Sequence, residues 1–154
     1  MPAKTKVVLR KKDKTDKKQE FDLAFQGLRK ILRPYDKKLR VTKDGPAGYM
    51  SESRSIQYRG KPLMFAGIMS KSYVSLHLFP VYMFPDLLNG MSLELKKRMQ
   101  GKTCWNFKKA EDLLFAELAR LIEASFQRFA KLGERNLSRE DAQAFWAITK
   151  TKKS

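Results

Sequence analysis

The stretch that decides the fold runs from Tyr73 to Lys108 and reads YVSLHLFPVYMFPDLLNGMSLELKKRMQGKTCWNFK. Two runs typical of strands, Tyr73–Phe79 and Thr103–Phe107, bracket a compact turn-and-helix insertion. Side chains alternate between the two faces of a strand. In the first run this alternation predicts a core face formed by Val74, Leu76 and Leu78. The opposite, polar and aromatic face is formed by Tyr73, Ser75, His77 and Phe79.

The insertion carries the start and stop signals of two short helices. Pro85 opens a helical turn through Leu88, and Asn89 and Gly90 end it. Ser92 is placed as the N-cap of a second helix, which contains Glu94 near its start and Lys96, Lys97 and Arg98 near its end. Gly101 stops this helix before the second strand begins.

Outside this stretch the sequence predicts two longer helices. One begins at Asp16 and ends near Arg33, because Pro34 disfavours helical geometry in the residue before it. The other runs from Ala110 to Leu132, with Gly133 as its end. Its apolar stripe is made of Leu114, Leu118, Leu121, Ile122, Phe126, Phe129 and Leu132.

Further strands lie between the first helix and Tyr73. Leu39 to Ser53 predicts two short strands about a turn at Asp44, Gly45 and Pro46, and Leu63–Ser70 predicts a partner for the Tyr73 strand. The order of elements predicts an α+β fold: a single mainly antiparallel sheet, with the N-terminal and long C-terminal helices packed on one face. We divide the chain into a basic disordered arm (1–15), this domain (16–133), and a C-terminal appendix (134–154), in which a short helix precedes a basic tail.

Charge and composition set the class of protein. The chain has 154 residues, a net charge of +17 and one cysteine, Cys104, which excludes an internal disulfide. About half of the positive excess lies in the termini. The apolar runs are shorter than the ~20 residues of a membrane span, and the charged N-terminus lacks a signal-peptide core. These features predict a soluble cytoplasmic protein that has no membrane partner.

The quoted stretch, followed by LLFAELARLIEASFQRF, resembles the YdhG-like domain family, whose function is unknown. The similarity extends from about Phe21 to Phe129, and RMQGKTCWNFK is its most specific part. The resemblance implies a bacterial cytoplasmic protein with a compact, loosely frataxin-like α+β fold. It implies little about activity, because fold does not fix function.

The preferred function is a non-enzymatic binding module that uses the histidine face of the sheet. Its predicted ligand-binding residues are Tyr73, His77, Tyr82 and Trp105, with Arg98 or Lys102 at the rim. Aromatic walls with a few polar groups suit a small anionic or aromatic ligand, or a protein segment. No catalytic residue, metal site or cofactor is predicted, because no motif brings titratable groups together. The oligomeric state stays open.

Two other functions stay open. Lys96, Lys97, Arg98, Lys102, Lys108 and Lys109 interleave with Trp105 and Phe107, a mixture used on single-stranded nucleic acid. The frataxin-like resemblance implies iron delivery through acidic side chains, but the first helix offers only Glu20 and Asp22 among many bases. We interpret His77 as a structural histidine, which would need Cys104 or acids from elsewhere to hold a metal. We interpret Cys104 as a small buried hydrophobe.

Overall fold

The computed structural model describes residues 14–132 and the backbone of residues 136–137. The helix predicted after Ser138 lies outside the described residues, as does nearly all of the N-terminal arm; the limits assigned to the domain stay predictions. Among residues 14–132, no helix combines the length and apolar character that a membrane crossing needs.

Two long helices are present where the sequence predicts them. Helix α1 spans Lys14–Leu32 and passes into a 3-10 helix, Arg33–Lys38, whose second residue is Pro34. Near the other end, Asp112–Ala130 is helical and is numbered α4 below, since two short helices precede it in the chain. Burial of Leu114, Leu118, Ile122 and Phe129 confirms the apolar stripe as the face that packs inward.

The strands form one sheet in the order β1–β2–β3–β4–β5, and each neighbouring pair in this order is antiparallel. A short strand, β6, pairs in parallel with the end of β2. The strand bounds are β1 Arg40–Gly45, β2 Gly48–Tyr58, β3 Lys61–Ser70, β4 Val74–Leu78, β5 Cys104–Phe107 and β6 Asn136–Leu137.

The insertion between β4 and β5 contains α2 (Pro80–Met83), a 3-10 helix (Pro85–Leu88) and α3 (Leu93–Lys97). Only α2 was not predicted. Ser92 caps α3 as expected, because its Oγ accepts a hydrogen bond from the Leu95 amide at 3.1 Å. The amide and the hydroxyl of Ser92 also donate to the Glu117 carboxylate, at 2.8 and 2.6 Å. This residue therefore ties the insertion to α4.

After α3 the backbone turns back along β5. The Gln100 amide donates to the Cys104 carbonyl at 2.8 Å, and the Asn106 amide donates to the Arg98 carbonyl at 2.7 Å. Met99 and Trp105 form an antiparallel bridge between these two hydrogen bonds. Residues 98–100 thereby lie along the outer edge of β5.

The core lies between the sheet and the two long helices. One row of facing residues crosses four strands and is fully buried: Tyr49, Ile68, Leu76 and Trp105. Helix α4 packs aromatic rings onto this face, with the Phe129 ring 5.1 Å from that of Phe65. These features confirm the α+β class and the single, mainly antiparallel sheet.

Arg29 holds α1 to the β1 side of the sheet. Arg29 is 5% exposed, and its guanidinium donates to the carboxylates of Asp36 and Asp44, at 2.6 and 3.0 Å for the shortest contacts. It also lies over the Tyr49 ring, 4.2 Å from the ring centre. Burial opposes its charged form, but the two carboxylates more than offset this and raise the pKa of Arg29. Because every charge is paired, we assign the cluster a structural role.

Candidate functional site

The alternation predicted for β4 is confirmed. Val74, Leu76 and Leu78 are buried, whereas Ser75 and His77 are partly exposed on the opposite face. The register with β5 pairs His77 with Cys104 and Ser75 with Asn106. These four side chains, which we call the His77 cluster, share the sheet face that points away from α1 and α4.

Hydrogen bonds link the members of the His77 cluster. Ser75 Oγ donates to Asn106 Oδ1 at 2.6 Å, and Cys104 Sγ donates to the same oxygen at 3.5 Å. Cys104 Sγ also lies 3.7 Å from His77 Nε2. The interpretation of Cys104 as a buried hydrophobe is wrong, since its side chain is partly exposed beside an imidazole. His77 therefore has Cys104 as a neighbour on the adjacent strand.

The His77 cluster lacks the features of an activated thiol. Burial raises the pKa of the Cys104 thiol, and a hydrogen bond with Ser75 offsets only part of that rise. A catalytic cysteine needs a lowered pKa. In addition, Asn106 contacts the thiol and not the imidazole, so it does not orient His77 as the third member of a triad would. The arrangement is better suited to binding than to nucleophilic catalysis.

Trp105 is not on the face where the sequence analysis placed it. It pairs with Leu76, its side chain is fully buried, and it forms part of the core row on the helix side of the sheet. The reason is the two-residue period of β5, which turns Trp105 and Phe107 inward and Cys104 and Asn106 outward. Neither Trp105 nor Phe107 is accessible for stacking on a base.

Two further predicted residues lie apart from the cluster. Tyr82 belongs to α2, where its ring is 6.0 Å from that of Phe79. Lys102 is exposed in the turn after Gly101, whose φ of +79° is a left-handed conformation that favours glycine. Neither side chain lines the cleft described next.

A cleft of about 550 Å³ opens beside the His77 cluster, and we call it the Tyr73 cleft. Tyr73 and Arg98, both predicted ligand residues, line it together with Asn106 of the cluster. Tyr73 is 40% exposed, and the Lys108 ammonium lies 5.7 Å from the centre of its ring. Four basic side chains line the cleft against two acidic ones: Lys97, Arg98, Lys108 and Lys109 against Glu20 and Glu111.

The charges in the Tyr73 cleft are not equally available. Arg98 is held by Glu111, with Nε donating to Oε2 and Nη2 to Oε1, both at 2.7 Å. Lys97 pairs with Glu94 at 3.1 Å, although both side chains are exposed. Lys108 and Lys109 form no salt bridge within residues 14–132. These two lysines therefore have no direct ion pair to compete with an anion, although the charge of Lys109 also acts on Glu111.

Sequence reasoning identified both Tyr73 and the basic side chains of this cleft, but it paired the basic side chains with Trp105 and Phe107. The exposed ring that accompanies them is Tyr73, which lies thirty-odd residues earlier in the chain. The period of β5 was the available signal, because it excludes Trp105 from the face of Asn106. The closeness of Tyr73 to Lys108 follows from the pairing of β4 with β5, which alternation alone does not fix.

Acidic metal ligands do not converge in the described part of the chain. Within residues 14–132, no three or more His, Cys, Asp or Glu side chains group closely enough to hold a metal ion. Iron binding through carboxylates therefore gains no support from these residues. No protein-family model matches the chain, and neither the curated proteins nor the solved structures contain a match.

Proposed function

We propose that the protein is a non-enzymatic binding module that holds a small anion bearing a flat ring in the Tyr73 cleft. One observation carries the proposal: the 40%-exposed ring of Tyr73 lies beside the Lys108 ammonium, at 5.7 Å. An accessible face of an aromatic side chain can stack on a flat ring of a ligand. A cation beside that face supplies the complementary charge for an anionic group.

The remaining lining supports the same ligand class. The volume of about 550 Å³ falls within the ~300–1,000 Å³ of small-molecule sites. Lys108 and Lys109 are the available cations, and Arg98 is a positioning residue because Glu111 already holds it. Asn106 accepts two hydrogen bonds at Oδ1, and its side-chain nitrogen Nδ2 has no partner within residues 14–132. That nitrogen supplies a hydrogen-bond donor in the lining of the cleft.

Of the residues predicted to bind the ligand, the proposal retains Tyr73 and Arg98. The other predicted residues do not contact the ligand. His77 lies behind Asn106, to which it is connected through Cys104. The YdhG-like assignment and the cytoplasmic location stay predictions and do not bear on the chemistry of the cleft.

The test compares three probes by isothermal titration calorimetry at low salt: adenosine monophosphate, adenosine and inorganic phosphate. We expect the nucleotide to bind more tightly than either half, because only the nucleotide uses both the ring of Tyr73 and the lysines. The variants Tyr73→Leu and Lys108→Gln should each weaken nucleotide binding by about tenfold, in line with ~1–3 kcal/mol for a stacked base.

Lys61→Gln is the matched control, since Lys61 is an exposed lysine at the start of β3, outside the cleft. It removes the same charge and should leave the affinity unchanged. Equal losses in Lys61→Gln and Lys108→Gln would show that binding depends only on net charge. Unchanged affinity in Tyr73→Leu would rule out the cleft as the site.

The second candidate function, binding of single-stranded nucleic acid, is favoured by the same lysines and by the net charge of +17. The two candidates differ in how the binding affinity depends on oligonucleotide length and on salt concentration. Short thymidine oligonucleotides should then bind more tightly than a mononucleotide, with an affinity that falls steeply as salt rises, because bound lysines release counterions from the phosphates. An affinity that is independent of oligonucleotide length favours the small-ligand site.

A further inference from the structure

Methionines lie at the centre of the outer sheet face, the face that points away from α1 and α4. Met50 on β2 pairs with Gly67 on β3, and Gly67 pairs with His77 on β4. Met69 on β3 pairs with Ser75 on β4. Because directly paired residues share a face, Met50 and Met69 lie on the same side of the sheet as the His77 cluster.

Met64 extends this group along β3. It lies between Leu63 and Phe65, which are both buried, and the Phe65 ring packs against α4. Alternation therefore turns Met64 to the outer face. The side chains of Met50, Met64 and Met69 are all partly exposed, and we call the three together the methionine face.

The methionine face is not part of the hydrophobic core. Met91 and Met99, which are also partly exposed, pack against the core, whereas the members of the methionine face are not among the side chains of the described residues that do so. An antiparallel sheet with one solvated face normally carries polar side chains there. Contiguous apolar side chains on such a face mark a surface that binds another molecule.

Gly67 makes the methionine face continuous. Met50 Sδ lies 2.8 Å from the position that a Cβ on Gly67 would take. The thioether thus lies across β3, between the positions of Met64 and Met69 along that strand. The unbranched, polarisable methionine side chain adapts to the shape of a partner and is common at protein-binding surfaces.

Lysines border the methionine face. The side chain of Lys43 lies over Gly48, with Cε and Nζ 2.7 and 2.9 Å from the position that a Cβ there would take. Gly48 pairs with Met69, so this ammonium is next to the methionines. Lys71 and Lys102 are exposed in the segments that follow β3 and precede β5.

The charges at this border favour an acidic partner. Glu52 pairs with Arg40 on β1 and accepts a hydrogen bond from its Nη1 at 3.3 Å. Lys43, Lys71 and Lys102 form no salt bridge in the described part of the chain. A second copy of the chain would bring like charges together across this face, which costs affinity, whereas carboxylates would pair with the lysines.

We propose that the methionine face binds an amphipathic helix of a partner protein, with apolar residues on the side that covers the methionines and Asp and Glu along its flanks. The opposite face of the sheet already packs two helices, α1 and α4. In complexes of this kind the apolar anchors carry the affinity and the flanking charges orient the partner. No member of the methionine face lines the Tyr73 cleft, so either proposal can fail while the other stands.

The first measurement uses the unaltered full-length protein, isotope-labelled at the methionine methyl groups, and follows its NMR spectrum as a synthetic peptide is added. The peptide has about 18 residues, or about five helical turns, with leucines on one face and glutamates on the other. We expect the signals of Met50, Met64 and Met69 to shift to saturation. The signal of Met91, which lies beside α4, should not move. A peptide with lysine in place of each glutamate should not bind.

Variants separate the apolar contribution from the charged one. Met69→Thr, which keeps a side chain that suits a strand, should lower the affinity for the acidic peptide by about tenfold, because burial of one methionine side chain is worth at least that much. Leu93→Thr is its matched control, since Leu93 is 75% exposed on α3, outside the methionine face.

Lys43→Gln should weaken binding of the acidic peptide by about threefold at low salt, and the effect should vanish at high salt, because salt screens exposed charges. The effect of Met69→Thr should persist at high salt. Lys96→Gln is the control for charge, since Lys96 is an exposed lysine on α3.

The proposal is overturned if the acidic peptide shifts no signal of the methionine face, or if the lysine peptide binds as tightly as the glutamate peptide. An unchanged affinity in Met69→Thr would also overturn it. Shifts of the same methyl signals when the protein alone is concentrated would show that a second copy of the chain, and not an acidic helix, covers this face.

Discussion

The guanidinium of Arg98 and the carboxylate of Glu111 form a two-point ion pair, with both hydrogen bonds at 2.7 Å. The pair joins the segment after α3 to the start of α4, and both residues line the Tyr73 cleft. Since the hydrogen bond from Arg98 favours the charged carboxylate, it holds the pKa of Glu111 below its ordinary value. Stability is thereby linked to pH at this point.

The first prediction concerns acid unfolding. A carboxyl whose folded-state pKa is lowered contributes stability above its unfolded pKa of about 4.3, and this is lost as pH falls through the lower folded value. The difference in melting temperature between wild type and Arg98→Met should therefore be largest near neutral pH and shrink below about pH 4. Arg120→Met is the control, because it removes an exposed arginine that has no ion pair in residues 14–132. The difference in melting temperature between wild type and this variant should not depend on pH.

The second prediction concerns Ser125, whose buried hydroxyl on α4 has no partner among the described residues. Ser125→Ala removes an unsatisfied polar group and adds helix propensity, so we expect a gain of about 1 kcal/mol in unfolding free energy. Ser53→Ala is the comparison variant, for which we expect the opposite effect. Ser53 Oγ accepts hydrogen bonds from the amides of Ser55 and Ile56. This substitution should cost about 1–2 kcal/mol. Urea unfolding measures both, and destabilisation by Ser125→Ala would contradict the prediction.

The third prediction concerns the contact between α1 and α4. A Cβ on Gly27 would lie 2.9 Å from Phe115 Cε2, and the Phe115 ring already packs edge-on against Phe107 at 4.9 Å. Helix propensity favours alanine by about 1 kcal/mol, but overpacking costs about 1–3 kcal/mol. We expect Gly27→Ala to destabilise the protein by about 1 kcal/mol.

Gly45→Ala is the control for that prediction, since nothing lies within 4 Å of its added Cβ. Its effect should stay within about 0.5 kcal/mol. A stabilised Gly27→Ala would mean that the Phe115 ring moves aside at little cost.

The fourth prediction concerns the reactivity of Cys104, the one cysteine in the chain. Because burial raises the pKa of its thiol, the thiolate is scarce at neutral pH. The rate of reaction with an aromatic disulfide reagent should keep rising above about pH 8.5, the ordinary thiol pKa. A rate that levels off below neutral pH would show an activated thiolate and reopen an enzymatic role for the His77 cluster.

Local patterns predicted most of the elements, because their signals lie within a few residues of one another. Pro34 marks the end of α1, Ser92 caps α3, and β4 alternates as expected. The His77 cluster could not be predicted in the same way. His77 and Cys104 are 27 residues apart, and their contact depends on strand register, which the core packing of Leu76 against its neighbours sets.

The error over Trp105 has a local cause. Aromatic type was given more weight than strand period, although Cys104, Trp105, Asn106 and Phe107 alternate as clearly as β4 does. The two-residue period of β5 assigns Trp105 to the core and Asn106 to the site. The exposure of Tyr73, in contrast, results from its position just before β4 begins.

Residues 98–100 cover the edge of β5 and so limit the pairing of the sheet with strands of other molecules. Their hydrogen bonds to Cys104 and Asn106 occupy backbone groups that an outermost strand would otherwise present to a neighbouring chain. At the opposite border, β1 carries exposed Arg40, Lys43 and Asp44, and charged borders discourage one sheet from extending into another. With one border covered and the other charged, the fold resists edge-to-edge aggregation between copies of the chain.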